Sequence, residues 1–410
     1  MKSRLSFILL CLGLVVEPLP VGYAAEAPSP LVSKDKAVNW WFVFKFNSAS
    51  FPACANDAKP SCPFGGKPQK YGKSFSQQYI YASKDEPALQ DGSGCLGDTH
   101  EDPVGSTFDK IYFGSYHYVV WNDQFYLNPP IEGCAKSCGG SWGHSKGILA
   151  WNDEGEGIVM QVTTPNWPGA GSKRVPRPEN GNTLGCITQS DQPQNNIKVS
   201  QHFFSVKLSR DGVLAVINAL ENASVVTDTK NHQVFSNGGP VDISAAASNL
   251  GQRSTSTKVL QQELAPGIQL ISKPSRVRVP PWQMLSAVLD GVSLRVASWW
   301  EANRPELAIP PTNANTRITC WHASLGKPGR VEIAKTGRWG DQEFGLTGGP
   351  GPDYNHAKIG VSISGNRPYS IFADMNQEGT LSGPNDKCGK SQNGRGGYFS
   401  SWKTPSCIGA

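Results

Sequence analysis

Two short segments of the chain read as copies of one another, Gly143-His144-Ser145-Lys146-Gly147 and Asn355-His356-Ala357-Lys358-Ile359. Each continues through two apolar runs to an asparagine. In the first copy these are Gly147–Trp151 and Gly157–Val162 before Asn166; in the second, Ile359–Ser364 and Tyr369–Ala373 before Asn376. A doubled His, Lys and Asn set suits cleavage of a phosphodiester without metal or cofactor. One imidazole attacks phosphorus while the other protonates the departing oxygen. Lysines and asparagines bind the non-bridging oxygens and offset the charge that a metal ion otherwise neutralises. Bare His-x-Lys spacing recurs by chance, so the shared context after each lysine carries the argument.

Such a pair works only where one imidazole carries a proton and the other does not. With an ordinary imidazole pKa of about 6.5, and a phosphate favouring the charged form, the working range falls on the acid side of neutrality. The lysines stay charged throughout it.

The elements around these residues are short. With 44 glycines and 31 prolines spread along 410 residues, the chain predicts many turns between brief strands. β-Branched and aromatic runs place strands at Trp40–Phe46, Tyr116–Trp121, Gly147–Trp151, Gly157–Val162, Gln201–Leu208, Ser293–Trp300, Lys358–Ser364 and Tyr369–Met375. Helices are expected at Asp211–Asn222, Ser256–Ala265 and Pro281–Leu289, the last with proline at a favourable first position. The segments Pro165–Gly185, Asn222–Thr257 and Glu301–Gly351 read as surface loops. This is a mixed α/β chain, with a leader over 1–25, one half over 26–195 and another over 196–410, each half holding one His-x-Lys element. Histidine and lysine lie two apart at a strand start, so they point to one face. Two halves packed as a pseudo-twofold pair would bring both faces to one cleft.

Lys2 and Arg4, the apolar run Leu5–Val16 and the small residues near Ala24-Ala25 have the layout of a secretory signal, and the run is short for a bilayer span. The expected product is exported, to a secreted, periplasmic or lysosomal-type compartment, with no membrane partner and an open oligomeric state, a homodimer included. Removing Lys2, Arg4 and Glu17 takes the formal charge from +5 to +4, a mild excess compatible with a polyanion. Beyond Cys11, nine cysteines remain and read as disulfides with one left over. Zinc is disfavoured, because Cys134-x-x-x-Cys138 has no second pair at finger spacing.

Other motifs carry less. Gly139-Gly140-Ser141-Trp142-Gly143 has the spacing of a serine-hydrolase elbow but lacks the strand before it and the helix after it. His100, His117, His202, His232 and His322 have no matched lysine and read as structural or exposed. Trp40 and Trp41, in an apolar strand, read as core rather than as base-stacking groups. Lys173-Arg174-Val175-Pro176-Arg177 and Arg276-Val277-Arg278 are either phosphate contacts along a cleft or solvated loops. Asn222-Ala223-Ser224 is a glycosylation sequon.

The segments Val38-Asn39-Trp40-Trp41-Phe42-Val43-Phe44-Lys45, Trp121-Asn122-Asp123-Gln124, His144-Ser145-Lys146-Gly147, Pro165-Asn166-Trp167-Pro168, His356-Ala357-Lys358 and Asp374-Met375-Asn376, taken in order, resemble the deoxyribonuclease II family over most of the chain. That family is similar in architecture to the phospholipase D superfamily, in which two halves each give a His-x-Lys element to one site. The resemblance implies an acid-active, metal-independent endonuclease that cuts DNA through a phosphohistidine and leaves 3′-phosphate and 5′-hydroxyl ends. It implies catalytic roles for His144, Lys146, His356 and Lys358, and phosphate contacts for Asn166 and Asn376. Superfamily analogy makes His144 the nucleophile and His356 the acid; the sequence leaves the reverse open. The phospholipase D pattern has an aspartate five residues after the lysine, where this chain has Trp151 and Ile363. Carboxylate support for the histidines therefore comes from elsewhere, with Asp374 as a candidate. A third histidine found in many animal members has no counterpart in Met160-Gln161-Val162-Thr163. Two other functions fit the residues, a phosphodiesterase of that superfamily acting on another diester and a non-catalytic secreted binding protein.

Overall fold

A computed structural model describes residues 26–403 apart from 63–66, 69–74, 98, 126–130, 132–133, 135–136, 168–174, 176–183, 185, 188–196, 301–303, 305, 307, 364–367, 384, 386–387 and 390. The expected leader and the expected boundary at 195–196 lie outside the described residues, as does the cluster Lys173–Arg177 except for Val175.

Two large sheets make up the mixed α/β fold. The first contains β1 (Trp40–Lys45), β2 (Tyr79–Ser83), β3 (Gln90–Asp91), β4 (His117–Asn122), β5 (Lys146–Trp151), β6 (Gly157–Val162), β7 (Gln201–Leu208) and β8 (Phe235–Ser236), in the order β8-β4-β5-β6-β7-β1-β2-β3. The second contains β9 (Leu260–Ala265), β10 (Ile268–Lys273), β11 (Leu294–Ala297), β12 (Val331–Ile333), β13 (Lys358–Ser362), β14 (Tyr369–Ala373) and β15 (Gly397–Lys403), in the order β9-β10-β15-β14-β13-β11-β12. In both sheets the His-x-Lys element opens the first strand of a central antiparallel hairpin, β5–β6 or β13–β14. The next long strand, β7 or β15, pairs antiparallel with the second strand of that hairpin.

Strand alternation divides the core. Trp41 and Val43 of β1, Ile148 of β5 and Met160 of β6 pack with Val104 and Ile111 of helix α1 (Pro103–Phe113). Trp282 and Leu285 of helix α4 (Pro281–Val288) cover the outer side of the second sheet against Val296, Ile371 and Phe399. Between the sheets Phe372 stacks on Phe42 at 4.7 Å and on Phe204 at 4.4 Å, and Trp40 meets Trp402 at 4.3 Å. Trp40 and Trp41 are thus core residues. Helix α2 (Arg210–Ala223) joins this layer through Val213, Val216, Ile217 and Leu220, the spacing of one helical face. Its first turn is capped by Ser209, whose Oγ accepts from Gly212 N–H, and it ends on Ser224 in the left-handed region at φ 58°.

Several sequence expectations are corrected. Ser256–Ala265 is not helical: Leu260–Ala265 is β9, paired with β10 across the turn at Gly267, φ +80°. Gln, Glu, Leu and Ala favour a helix there, but the pairing overrides local propensity. The expected loop Asn222–Thr257 contains β8 and helix α3 (Val241–Ser248), which buries only Ile243 and Ala247 and so shows little periodicity. Glu301–Gly351 holds β12 and a hairpin of Thr336–Trp339 with Gln342–Gly345. Asn222 is buried, and its Nδ2 donates to Ser272 O and Oγ (both 3.2 Å) and to Lys258 O (3.3 Å), so the sequon nitrogen is not available to a glycan.

Disulfides join Cys54 to Cys95, Cys134 to Cys138 and Cys320 to Cys388, and Cys62 is also disulfide-bonded. Cys407 lies outside the described residues. Among the described residues no helix is long and apolar enough to cross a membrane.

Candidate active site

Each histidine is gripped by backbone from the other copy's sheet. His144 N–H donates to Gly396 O (2.8 Å) just before β15, and its Nδ1 meets the main-chain carbonyl of Asp374, one residue past β14. His356 N–H donates to Ser200 O (2.8 Å) just before β7, and its Nδ1 lies 2.8 Å from the carbonyl of Thr163, one residue past β6. The four anchors occupy matching positions in the two sheets. A carbonyl accepts only, so each Nδ1 carries the proton and each Nε2 keeps a lone pair or takes a second proton. Lys358 Nζ also lies 3.1 Å from His356 Nδ1. An Nδ1 that donates to Thr163 cannot accept from an ammonium, so that approach is a contact between a cation and a ring rather than a second hydrogen bond.

Close backbone approaches fix the loop before His144. Gly143 N–H donates to Ser224 O (2.8 Å) at the end of α2, and a Cβ on Gly143 would come within 2.7 Å of Ala223 O. On the second copy Asn355 makes the local turn, accepting from Ala357 N–H (3.0 Å) and donating to Ala357 O (2.8 Å).

The lysines meet on one carboxylate. Lys146 Nζ lies 2.7 Å from Asp374 Oδ2 and 2.8 Å from Asp123 Oδ1, while Lys358 Nζ lies 3.0 Å from Asp374 Oδ1. Arg395 Nη2 reaches Asp123 Oδ2 at 2.8 Å. Asp374 Oδ2 is also 3.5 Å from His144 Nδ1. His144, Lys146, His356 and Lys358 are thereby brought together, the lysines wholly buried and each histidine 6 % exposed, so only a ring edge reaches solvent. Asn166 and Asn376 follow the two anchoring carbonyls and are buried. Asn166 adopts φ 57° and its N–H donates to Gln124 O (2.7 Å); Asn376 Nδ2 donates to Glu378 Oε1 (3.0 Å).

Three cations and two carboxylates leave the cluster one positive charge in excess when both imidazoles are neutral, which favours an anion. Burial, then the Lys146 ammonium, pushes the His144 pKa well below its usual value; burial and Lys358 do the same to His356. Burial lowers Lys358 to about 8 despite Asp374. Lys146 is raised because Asp123 and Asp374 outweigh its burial. Burial pushes Asp123 up, but Lys146, His144 and Arg395 pull it lower overall; in Asp374 burial wins and its pKa is raised.

Asp123, His144 and Asp374 place one potential ligand atom each within 4.8 Å of one another. This donor set fits a divalent ion poorly. Every carboxylate oxygen in it already faces a lysine or arginine, so a metal would have to displace buried cations.

Asp123, Arg395 and Thr163 were not assigned parts in the sequence. Asp123 lies directly after β4 and pairs with Lys146 and Arg395, a place the sequence did not single out, since the carboxylate support sought there was for the histidines with Asp374 as the candidate. Arg395 sits in a Gly-rich stretch with no distinguishing pattern. His202 is buried beside this site, its Nδ1 accepting from Lys358 N–H (3.3 Å), which gives it a structural place.

The family described as Deoxyribonuclease II matches residues 29–304, which include His144 and Lys146 and stop short of His356. Deoxyribonuclease-2-alpha of Rattus norvegicus is 25 % identical over 367 residues, covering 86 % of each chain.

Proposed function

The chain belongs to the deoxyribonuclease II family, and on that premise we propose that it hydrolyses DNA phosphodiester bonds without a metal ion, through a covalent phosphohistidine. The observation that carries this proposal is the crossed anchoring of two histidines, each with Nδ1 on a carbonyl and Nε2 left for chemistry. It is supported further by the neutralised carboxylates, which leave lysines where a metal would be needed.

In the first step the Nε2 lone pair of His144 attacks phosphorus, the P–O5′ bond breaks, and O5′ takes the Nε2 proton of His356. In the second, water attacks phosphorus, gives a proton to the now neutral His356 and releases His144. The products are a 3′-phosphate and a 5′-hydroxyl. Asp374 next to His144 Nδ1 steadies the positive charge that attack places on that ring. His356 has Lys358 at its Nδ1 instead, which makes its protonated form the stronger acid. Lys146 commits two ammonium protons to Asp123 and Asp374, and its charge, buried beside the rings, favours the anionic phosphate. Asn166 and Asn376 are assigned to the same oxygens.

The repeated order of hairpin and following strand supports a phospholipase D-like pseudo-dimer, each half giving one element to a shared site. Disulfides support an oxidising compartment after export. Plasmid nicking at about pH 5 in excess EDTA tests the proposal. Full activity is expected; loss that a divalent ion restores would overturn it.

A further inference from the structure

Beside the histidine site lies a groove of about 1120 Å³ whose lining includes Arg253, Arg276, Arg278 and Arg395, with Ser141 and Thr255, and no carboxylate among the described residues. Arg253, Arg276 and Arg278 are exposed, and among the described residues none of the three forms an ion pair. An unpaired group of three guanidinium ions repels itself and is stabilised by an anion that spans them. Arg253 is held in place by the Trp142 ring, 5.2 Å from its Cζ.

The groove is joined to the chemistry through Arg395. Its Nη2 donates to Cys138 O (2.7 Å) and Gly143 O (3.0 Å) as well as to Asp123, and its Nε donates to Trp142 O (3.1 Å). The loop that forms one wall, Gly139–Ser141, is therefore fastened to the segment that ends in His144. Buried Lys273 secures the other side by donating to Asn393 O (3.0 Å) and Arg395 O (2.8 Å).

We propose that this groove binds backbone phosphates of the same polynucleotide, on nucleotides flanking the scissile one, through Arg253, Arg276 and Arg278. This inference rests on the nuclease function above and adds where the strand runs. Three open, unpaired arginines suit a chain of phosphates better than a single small anion, because guanidinium forks pair with successive phosphate oxygens.

The test compares the unaltered protein with R253Q/R276Q/R278Q on two substrates, a DNA duplex of about 30 base pairs and bis(4-nitrophenyl) phosphate, a single diester with no flanking phosphates. On the duplex at low salt, kcat/KM of the variant should fall at least about tenfold, and its dependence on log salt should flatten by about 2 to 3, near 0.9 per phosphate contact. On the single diester the two proteins should agree within about twofold, with unchanged circular dichroism. An unchanged salt slope on DNA, or equal losses on both substrates, overturns the groove and leaves the nuclease function standing. If the unaltered protein cuts the diester but not DNA, the DNA function itself fails and the groove with it.

Discussion

His356 points its Nδ1 at the carbonyl of Thr163, 2.8 Å away and just past a strand of the other sheet, while His144 uses the carbonyl of Asp374 in the same manner. Neither ring has its orientation set by its own hairpin. The consequence is that the site exists only when the two sheets are docked, and both histidines depend on that docking.

Replacing either histidine tests whether the two copies form one site. His144→Ala and His356→Ala are each expected to lower DNA cleavage by at least about 10³-fold, because the proposed mechanism divides nucleophile and acid between the two copies. Circular dichroism should be unchanged, since both rings keep only an edge in solvent and bond to carbonyls that accept water in their place. A His356→Ala protein that nicks plasmid at near the normal rate would refute the shared site.

How much of this was legible in the sequence depends on the kind of signal. The two hairpins were readable because β5, β6, β13 and β14 are apolar runs bounded by turns, and their ends fell within two residues of the expected ones, β13 and β14 each stopping two residues early. Helix α1 was missed because Gly105, Ser106 and Thr107 are weak helix formers; its start depends on Asp102, which accepts from Val104 and Gly105 N–H ahead of Pro103. The histidines and lysines showed themselves by repetition. Arg395 and Thr163 did not, since an anchoring carbonyl can come from any residue and the arginine acts through contacts distant in sequence.

Asp374→Asn should damage both stability and activity. The carboxylate lies between two fully buried ammonium groups, and removing one partner of a buried pair costs about 3–5 kcal/mol. Chemical denaturation should show a loss of that order at about pH 6, where both lysines are charged. Stability equal to that of the unaltered protein would mean that the Asp374 charge is not used in the fold.

The depressed imidazoles set the pH dependence. Burial and the neighbouring lysines hold His144 and His356 below about 6.5, so the free protein gains the proton needed by the acid only on the acid side of that value. As pH rises through the His356 value, kcat/KM should fall about tenfold per unit. Lys358, at about 8, should then lose its charge and steepen the decline. An optimum above neutrality would contradict the assignment.

The same shifts predict how an anion stabilises the fold. Between the lowered folded values and about 6.5 the unfolded chain binds more protons at these two positions, so their contribution to stability falls as pH drops through that window. Inorganic phosphate bound at the exposed edges of the two imidazoles favours the protonated rings and reverses the loss. Its effect on Tm should therefore be larger at about pH 5 than at about pH 7.5, and His144→Ala/His356→Ala should abolish the difference. Equal stabilisation at both pH values in the unaltered protein would separate anion binding from the histidines.

Product ends and stereochemistry test the covalent step itself. If His144 Nε2 displaces O5′, the protein holds the 3′-phosphoryl group until water releases it, and fragments carry 3′-phosphate and 5′-hydroxyl ends. A polynucleotide kinase without 3′-phosphatase activity should label their 5′ ends with no prior dephosphorylation. Two successive in-line displacements at phosphorus restore the starting configuration, so a chiral phosphorothioate diester cleaved in labelled water should show net retention. Inversion would mean that water attacks directly. His144 would then serve as a base rather than as the nucleophile, even with both histidines essential, and the carboxylate at its Nδ1 would stabilise an imidazolium instead of a phosphoryl-imidazole.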